Sequence, residues 1–327
     1  MSVRQMNKIL VTGANGFVGK VVCAQLAGRG FQVVAAVRSG APAALANADA
    51  EAATVTTVSV GNIDANTDWS AALSGCSAVI HLAARAHILN DTAADPLAAF
   101  RETNVAGSLE LARQAAQAGV KRFVFVSSVG VNGNINSRPF TEADTPSPAE
   151  PYAVSKLEAE LALREQAART GLELVIVRPP LVYGPECPGN FRRLLKLLSS
   201  GVPLPFGAMR KRRSFVGVWN LADFLVTCTS HPHAPGEVFL VSDMDDVTLP
   251  QLLEGLAQGM GKKAPLFSFS PVVLRALARV LGKAGMFEKL CGNLTIDAAN
   301  ARKVLGWTPP VGLAEGLRRT GSWYAGR

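Results

Sequence analysis

Lys8-Ile9-Leu10-Val11-Thr12-Gly13-Ala14-Asn15-Gly16-Phe17-Val18-Gly19 is a β-rich run, a glycine turn and a helix start in one stretch. The glycines recur every third residue. Gly13 can make the tight turn, Gly16 lets backbone approach a pyrophosphate, and Gly19 lets the helix pack closely on the strand. The helix start adds free N–H groups and the positive dipole end. Glycines alone are a weak signal. Here they open a chain in which strands and helices alternate, the context a dinucleotide-binding turn requires. Gly13, Asn15, Gly16, Phe17, Val18 and Gly19 are therefore the expected phosphate-side residues.

Working outward, β-rich runs recur at Lys8–Thr12, Gln32–Val37, Thr56–Val60, Ala78–Leu82, Arg122–Ser127 and Leu172–Arg178. Helical patterns lie between them at Gly16–Arg29, Pro96–Ala118 and Pro151–Thr170. Most of the runs are continuously apolar, as strands covered on both faces must be. The expectation is an α/β fold: a doubly wound parallel (Rossmann) sheet. After Pro179-Pro180 the repeat is lost, and Pro and Gly are dense through Gly207. A smaller mixed α/β C-terminal substrate lobe is expected from 181 to 327, after a dinucleotide-binding domain from 1 to 180. Some later segments are allowed to return to the first domain. The Ala-rich 41–53 stretch reads as a surface helix or loop.

The end of the second strand selects the cofactor. An acidic residue there would bond the adenosine ribose of NAD. The sequence has Ala36-Val37-Arg38-Ser39. A guanidinium suits a 2′-phosphate, and equally suits adenine stacking or a solvated surface. NADP is favoured over NAD.

Pro151-Tyr152-Ala153-Val154-Ser155-Lys156 opens a helix. Residues four apart share a face, so Tyr152 and Lys156 can aim at one site. A phenol titrating near ~10 needs help to act as a base at neutral pH. A nearby ammonium and an oxidised nicotinamide would each favour phenolate. Ser127-Ser128 ends the fifth strand, at the carboxyl edge where such sheets hold ligands.

The chain has 327 residues, 48% hydrophobic and 18% charged, a globular rather than disordered composition. The Met1–Asn7 stretch has no apolar leader, and runs such as Leu174–Val177 are too short to span a bilayer. A soluble cytoplasmic protein is expected. Five scattered cysteines have no metal-ligand spacing, so free thiols and no metal are expected. Asn293-Leu294-Thr295 matches a glycosylation acceptor, which carries no weight without a leader. The net charge is +8, concentrated in Arg192, Arg193, Lys196 and Arg210 to Arg213. Such a cluster suits a polyanion or a solvated face. Nucleic acid is disfavoured, since only Phe206 and Phe215 could stack beside the Arg210–Arg213 run.

Together, Thr12-Gly13 through Gly19, His81-Leu82-Ala83-Ala84, Thr103-Asn104-Val105-Ala106-Gly107, Val126-Ser127-Ser128, Tyr152 with Lys156, Arg178-Pro179-Pro180-Leu181-Val182-Tyr183-Gly184-Pro185, Arg213-Ser214-Phe215-Val216 and Leu305-Gly306-Trp307-Thr308-Pro309 resemble the extended short-chain dehydrogenase/reductase family. The likeness is to its nucleotide-sugar epimerase/dehydratase/reductase branch and covers nearly the whole chain. It implies that Ser128 is the catalytic hydroxyl and Tyr152 the acid/base. Lys156 would bind the nicotinamide ribose and lower the tyrosine pKa. It implies cofactor contacts from Leu82, Ala83, Ala84, Asn104, Val126 and Pro179, and from Asn62 and Ile63 beside adenine, with Asn62 where Asp is usual. It implies a UDP-linked sugar held by Arg85, Ser127, Ser128, Asn190 and Arg213, and a homodimer through the helices of Pro96–Ala118 and Pro151–Thr170.

Two departures narrow the chemistry. Val129 and Gly130 stand where the branch's dehydratases carry an Asp-Glu pair, so loss of water is not expected. Asn132 replaces an aromatic residue. The surrounding sequence resembles enzymes of bacterial surface-polysaccharide synthesis that reduce the 4-keto group of a UDP-N-acetyl sugar. Reduction at C4 is the first expectation. A UDP-glucose or UDP-N-acetylglucosamine 4-epimerase is the alternative, and a non-catalytic dinucleotide-sensing module the distant one.

Overall fold

A computed structural model describes residues 7–39, 55–86 and 95–326. The 41–53 stretch lies outside the described residues. A seven-stranded sheet has the order β3-β2-β1-β4-β5-β6-β9. Its strands are β1 (Lys8–Thr12), β2 (Gln32–Val37), β3 (Val55–Ser59), β4 (Ala78–His81), β5 (Arg122–Val126), β6 (Glu173–Arg178) and β9 (Val238–Leu240). Every pairing in it is parallel. A second sheet of β7 (Leu181–Tyr183), β8 (Arg212–Gly217) and β10 (Asp246–Thr248) has the order β10-β8-β7.

Because side chains alternate across a strand, each central strand feeds two cores. Ile9, Val11, Val33, Ala35, Ile80, Val124, Val175 and Val177 point to one face. They meet α1 (Phe17–Gly28) and α7 (Val218–Cys228) there. Leu10, Val34, Val79, Phe123, Phe125, Leu174 and Ile176 point to the other, against α2 (Ser70–Leu73), α4 (Ser108–Gln117) and α5 (Pro151–Thr170). α11 (Ala299–Leu305) adds Ala301 and Leu305 to the first core, and Trp307 follows. Thus β9, α7 and α11, all beyond residue 181, serve the first sheet. A third core joins the small sheet to α6 (Asn190–Ser199), α8 (Leu249–Gly259) and α12 (Leu313–Ala325). α9 (Pro271–Val280) and α10 (Ala284–Cys291) flank it.

The expected single helix over Pro96–Ala118 is instead broken. α3 (Pro96–Arg101) runs into a π-helical turn at Glu102–Gly107 before α4. Tertiary contacts impose the break. A Cβ on Gly107 would lie 2.6 Å from Ile63 Cγ2, and the buried Asn104 is tied to the loop after β4. π-turns of this kind gather at functional sites.

Candidate active site

The glycine turn is built as its spacing requires. Gly13 has φ +65°, the left-handed region that favours glycine. A Cβ there would sit 3.0 Å from the Ala83 nitrogen. A Cβ on Gly19 would lie 2.1 Å from the Gly13 carbonyl oxygen, so helix α1 can reach the turn only with glycine. Gly16 caps α1 without a side-chain acceptor, leaving the first N–H groups for a ligand. Asn15 is exposed beside the turn. Val18 packs on the first core and Phe17 on the third, so these two can offer a ligand backbone rather than side chain. Arg38 and Ser39 are exposed at the end of β2. Asn62 and Ile63 follow β3, with the Asn62 carbonyl accepting from Thr67 Oγ1 at 2.9 Å.

Beneath the turn lies a buried network that sequence reasoning quoted but gave no role. Thr12 Oγ1 lies 2.7 Å from His81 Nδ1, and accepts from the N–H groups of Leu82 at 3.2 Å and Ala83 at 3.1 Å. His81 Nε2 lies 2.9 Å from Ser108 Oγ, whose proton goes to the Asn104 carbonyl at 2.7 Å. With that proton committed, Ser108 can only accept. His81 therefore carries its proton on Nε2, and its Nδ1 accepts from Thr12. Burial, with Lys156 adding repulsion, pushes the His81 pKa down to about 3. The imidazole is neutral and every polar atom around it is partnered. This fixes the backbone of Leu82 and Ala83, two of the residues expected to line a dinucleotide.

The π-turn delivers Asn104 to the same region. Its Oδ1 accepts from the Arg85 N–H at 2.8 Å. Its Nδ2 donates to the Arg85 carbonyl at 3.2 Å and to Ser155 Oγ at 3.0 Å. Ser155 in turn donates to the Tyr152 carbonyl at 2.7 Å. Asn104 thus ties the loop after β4 to the first turn of α5. The Tyr152 ring meets Phe100 edge-on at 6.0 Å, and the Arg85 guanidinium lies over Phe100 at 5.6 Å.

The loop after β5 supplies the hydroxyls. Ser128 Oγ accepts from the Gly130 N–H at 3.1 Å, and a Cβ on Gly130 would lie 3.3 Å from both Ser128 Oγ and Ala153 Cβ. Gly130 is thus wedged between Ser128 and the residue next to Tyr152. Ser127 Oγ is buried with no hydrogen-bond partner among the described residues. Val126 packs against the first core, and the Pro179 carbonyl accepts from the Val129 N–H at 3.0 Å.

Lys156 is fully buried, its Nζ 3.9 Å over the Phe125 ring. Burial drives its pKa down to about 7, with Glu160 pulling the other way. Burial pushes the Tyr152 phenol up to about 12, the reverse of the expected direction. One turn beyond Lys156, Glu160 takes the buried Arg178 in a two-pronged ion pair, with Nε donating at 2.9 Å. Arg178 also donates to Asn132 Oδ1 at 3.1 Å. The amide at the departed aromatic position thus satisfies a buried guanidinium.

In the second lobe, Arg213 Nη1 donates to the Gly292 carbonyl at 3.2 Å, and burial lowers its pKa. Asn190 is the first residue of α6. Tyr183, read only as part of a motif, donates to the buried Asp243 at 2.7 Å; Asp243 also accepts from Gly217 and Asn220. No group of three or more metal-ligating side chains occurs among the described residues. No helix among them is long and apolar enough to cross a membrane.

The model of the NAD dependent epimerase/dehydratase family matches residues 9–242, most of the chain. The chain belongs to this family. This epimerase/dehydratase chain is 39% identical over 321 residues to a UDP-glucose 4-epimerase of Vibrio cholerae, covering 97% of this chain and 95% of that one. Its fold matches a UDP-glucose 4-epimerase of Thermotoga maritima solved with UDP-glucose, at 25% identity, TM-score 0.75 and 97% and 98% coverage. It also matches MoeE5 solved with UDP-glucuronic acid and NAD, at 26% identity, TM-score 0.75 and the same coverage. An NAD-dependent enzyme of this family has a nicotinamide that accepts and returns hydride. The Gly13–Gly16–Gly19 turn and the fixed Leu82–Ala83 backbone fit that dinucleotide.

Proposed function

We propose that the chain is a UDP-hexose 4-epimerase working on UDP-glucose or UDP-N-acetylglucosamine. What carries this is the likeness over nearly the full length to a UDP-glucose 4-epimerase, with Tyr152 and Lys156 in one helix whose Ala153 and the Ser128 hydroxyl flank Gly130. Val129 and Gly130 supply no acid for dehydration. In this reading Tyr152 takes the proton of the C4 hydroxyl and returns it after the 4-keto sugar has turned over, while a bound nicotinamide would take hydride from C4 and give it back on the other face. Ser128 holds the C4 oxygen. Lys156 binds the nicotinamide ribose and, when charged, favours the phenolate. A bound oxidised nicotinamide would add positive charge to the same site and favour the phenolate against the burial that raises its pKa. Arg213 and Asn190 hold the diphosphate and Arg85 the sugar side.

The expectation of net reduction rested on the resemblance of the sequence around Asn132, and the relatives quoted above favour epimerisation instead. Arg38 keeps its meaning for cofactor choice: no carboxylate is described at the end of β2 to hold a ribose diol, and NADP is the proposed preference over NAD. A homodimer through α3, α4 and α5, and a cytoplasmic setting with access to UDP-sugars, complete the proposal.

The test is incubation with UDP-glucose and UDP-N-acetylglucosamine, with and without added nicotinamide cofactor. Many turnovers of 4-epimer per enzyme without net cofactor change support the proposal. Consumption of one reduced cofactor per 4-keto sugar, with no epimer formed, returns reduction to first place. No turnover of any UDP-sugar leaves the sensing module.

A further inference from the structure

None of α9 is buried, although the helix is largely apolar. Its inner side rests on the third core through Leu274. Val273, Leu277 and Val280 follow at i, i+4 and i+7, one stripe of helix surface, and all three are exposed, Val280 to 85%. Leu281 and Met286 extend the apolar surface. Before the helix, Phe267 and Phe269 are both exposed with rings edge-on at 6.4 Å. Phe267 is held there by backbone bonds to Leu204 and Gly207. Large apolar side chains left exposed along one helix stripe and just before it mark an interaction surface.

The charges around it choose the partner. From Gly261 to Phe287 the chain carries Lys262, Lys263, Arg275, Arg279 and Lys283 and no Asp or Glu. Only Arg275 of these forms a described ion pair, with Glu288. A two-fold contact of the patch with itself would set these cations against their own copies. An amphipathic helix with aliphatic and aromatic side chains on one side and Lys/Arg beside them instead suits a negatively charged lipid surface.

We propose that α9 with the Phe267–Phe269 segment is a docking surface for an anionic bilayer, seating the enzyme on the membrane without spanning it. The stripe enters the headgroup boundary, and Arg279 and Lys283 meet lipid phosphates. The proposal is independent of which sugar is turned over.

Flotation of the full chain with phosphatidylglycerol vesicles and with phosphatidylcholine vesicles tests it. Wild type floats with the anionic vesicles, and raised salt weakens the binding. Leu277→Gln with Val280→Gln lowers partitioning by about tenfold or more, since two aliphatic insertions are lost. Arg279→Glu and Lys283→Glu each lower it by at least about fivefold. All variants keep wild-type turnover of soluble UDP-sugar and wild-type thermal unfolding. The proposal is overturned if wild type stays unbound, if neutral vesicles bind it equally, or if the variants float as wild type does. It is equally overturned if the stripe instead drives self-association in light scattering that the Gln variant abolishes.

Discussion

Thr12→Val removes one hydroxyl and keeps the shape. In the wild type that oxygen donates to His81 Nδ1 at 2.7 Å and accepts from two backbone N–H groups at 3.1 and 3.2 Å. Valine leaves all three partners without a mate. His81 is fully buried, so its Nδ1 loses the full value of a buried acceptor, about 1–3 kcal/mol. The Leu82 and Ala83 N–H groups are only partly buried and their bonds are long, so each is worth about 0.5–1 kcal/mol. The added methyl gives back roughly 0.8 kcal/mol through burial. The net loss is about 1–4 kcal/mol, a large fraction of the ~5–15 kcal/mol that holds a folded domain. Urea unfolding at pH 7, with the slope compared as well as the midpoint, measures it. Thr12→Ser, which keeps the oxygen, serves as control and stays within about 1 kcal/mol of wild type. Dinucleotide affinity falls with stability in the valine variant, because the loosened Leu82–Ala83 backbone packs on Gly13. If Thr12→Val unfolds within 1 kcal/mol of wild type at unchanged slope, the network is not holding that loop, and the tautomer assigned to His81 falls with it.

The remaining predictions concern charge and catalysis. His81 has a folded pKa near 3 against 6.5 unfolded, so the unfolded chain binds its proton first and stability drains away as pH falls from 6.5 toward 3. Urea midpoints across that range should show the fall, and His81→Gln should flatten it. Lys156 has a folded pKa near 7 against 10.5 unfolded, so the cofactor-free enzyme gains stability as pH rises between those values; Lys156→Met should remove that gain in the same measurement. Glu160→Gln leaves Arg178 buried without its counter-charge and should cost about 3–5 kcal/mol; a loss under 1 kcal/mol in calorimetry would show the pair to be dispensable. Tyr152→Phe should lower turnover by roughly 10²–10⁴-fold while UDP and dinucleotide affinities hold, and near-normal turnover removes the assigned acid/base. Arg38→Ala should weaken NADP about tenfold and leave NAD unchanged; equal wild-type affinity for the two, untouched by the substitution, would abolish the preference.

The sequence carried the sheet further than it carried the site's supports. β1, β2 and α5 have the bounds expected of them, because continuous apolar runs and a Pro-capped helical pattern are local signals. Local signals cannot say which core a buried residue joins: Leu10 and Val11 read alike and face opposite ways. The π-turn was hidden for the same reason. Over six residues its period is hard to tell from that of an α-helix, and what selects it is Ile63 against Gly107, about forty residues away in the chain. Tyr152 and Lys156 could be read as one helix face because residues four apart lie together, and both fall in α5. Asn132 could be noticed as a departure but not explained, since its partner Arg178 arrives on another strand. His81 stood in plain view in a quoted motif, yet only the committed proton of Ser108 reveals its state.

The placement of β9 beside β6 bears on how the molecule is made. A ribosome delivers the first six strands well before Val238–Leu240, and before α7 and Trp307, which cover one face of those strands. Until they arrive, the nascent sheet has an open edge at β6 and an uncovered greasy side. Maturation therefore waits on late-made segments, and a ribosome stalled near residue 180 would hold a product that invites chaperones rather than a finished nucleotide-binding half.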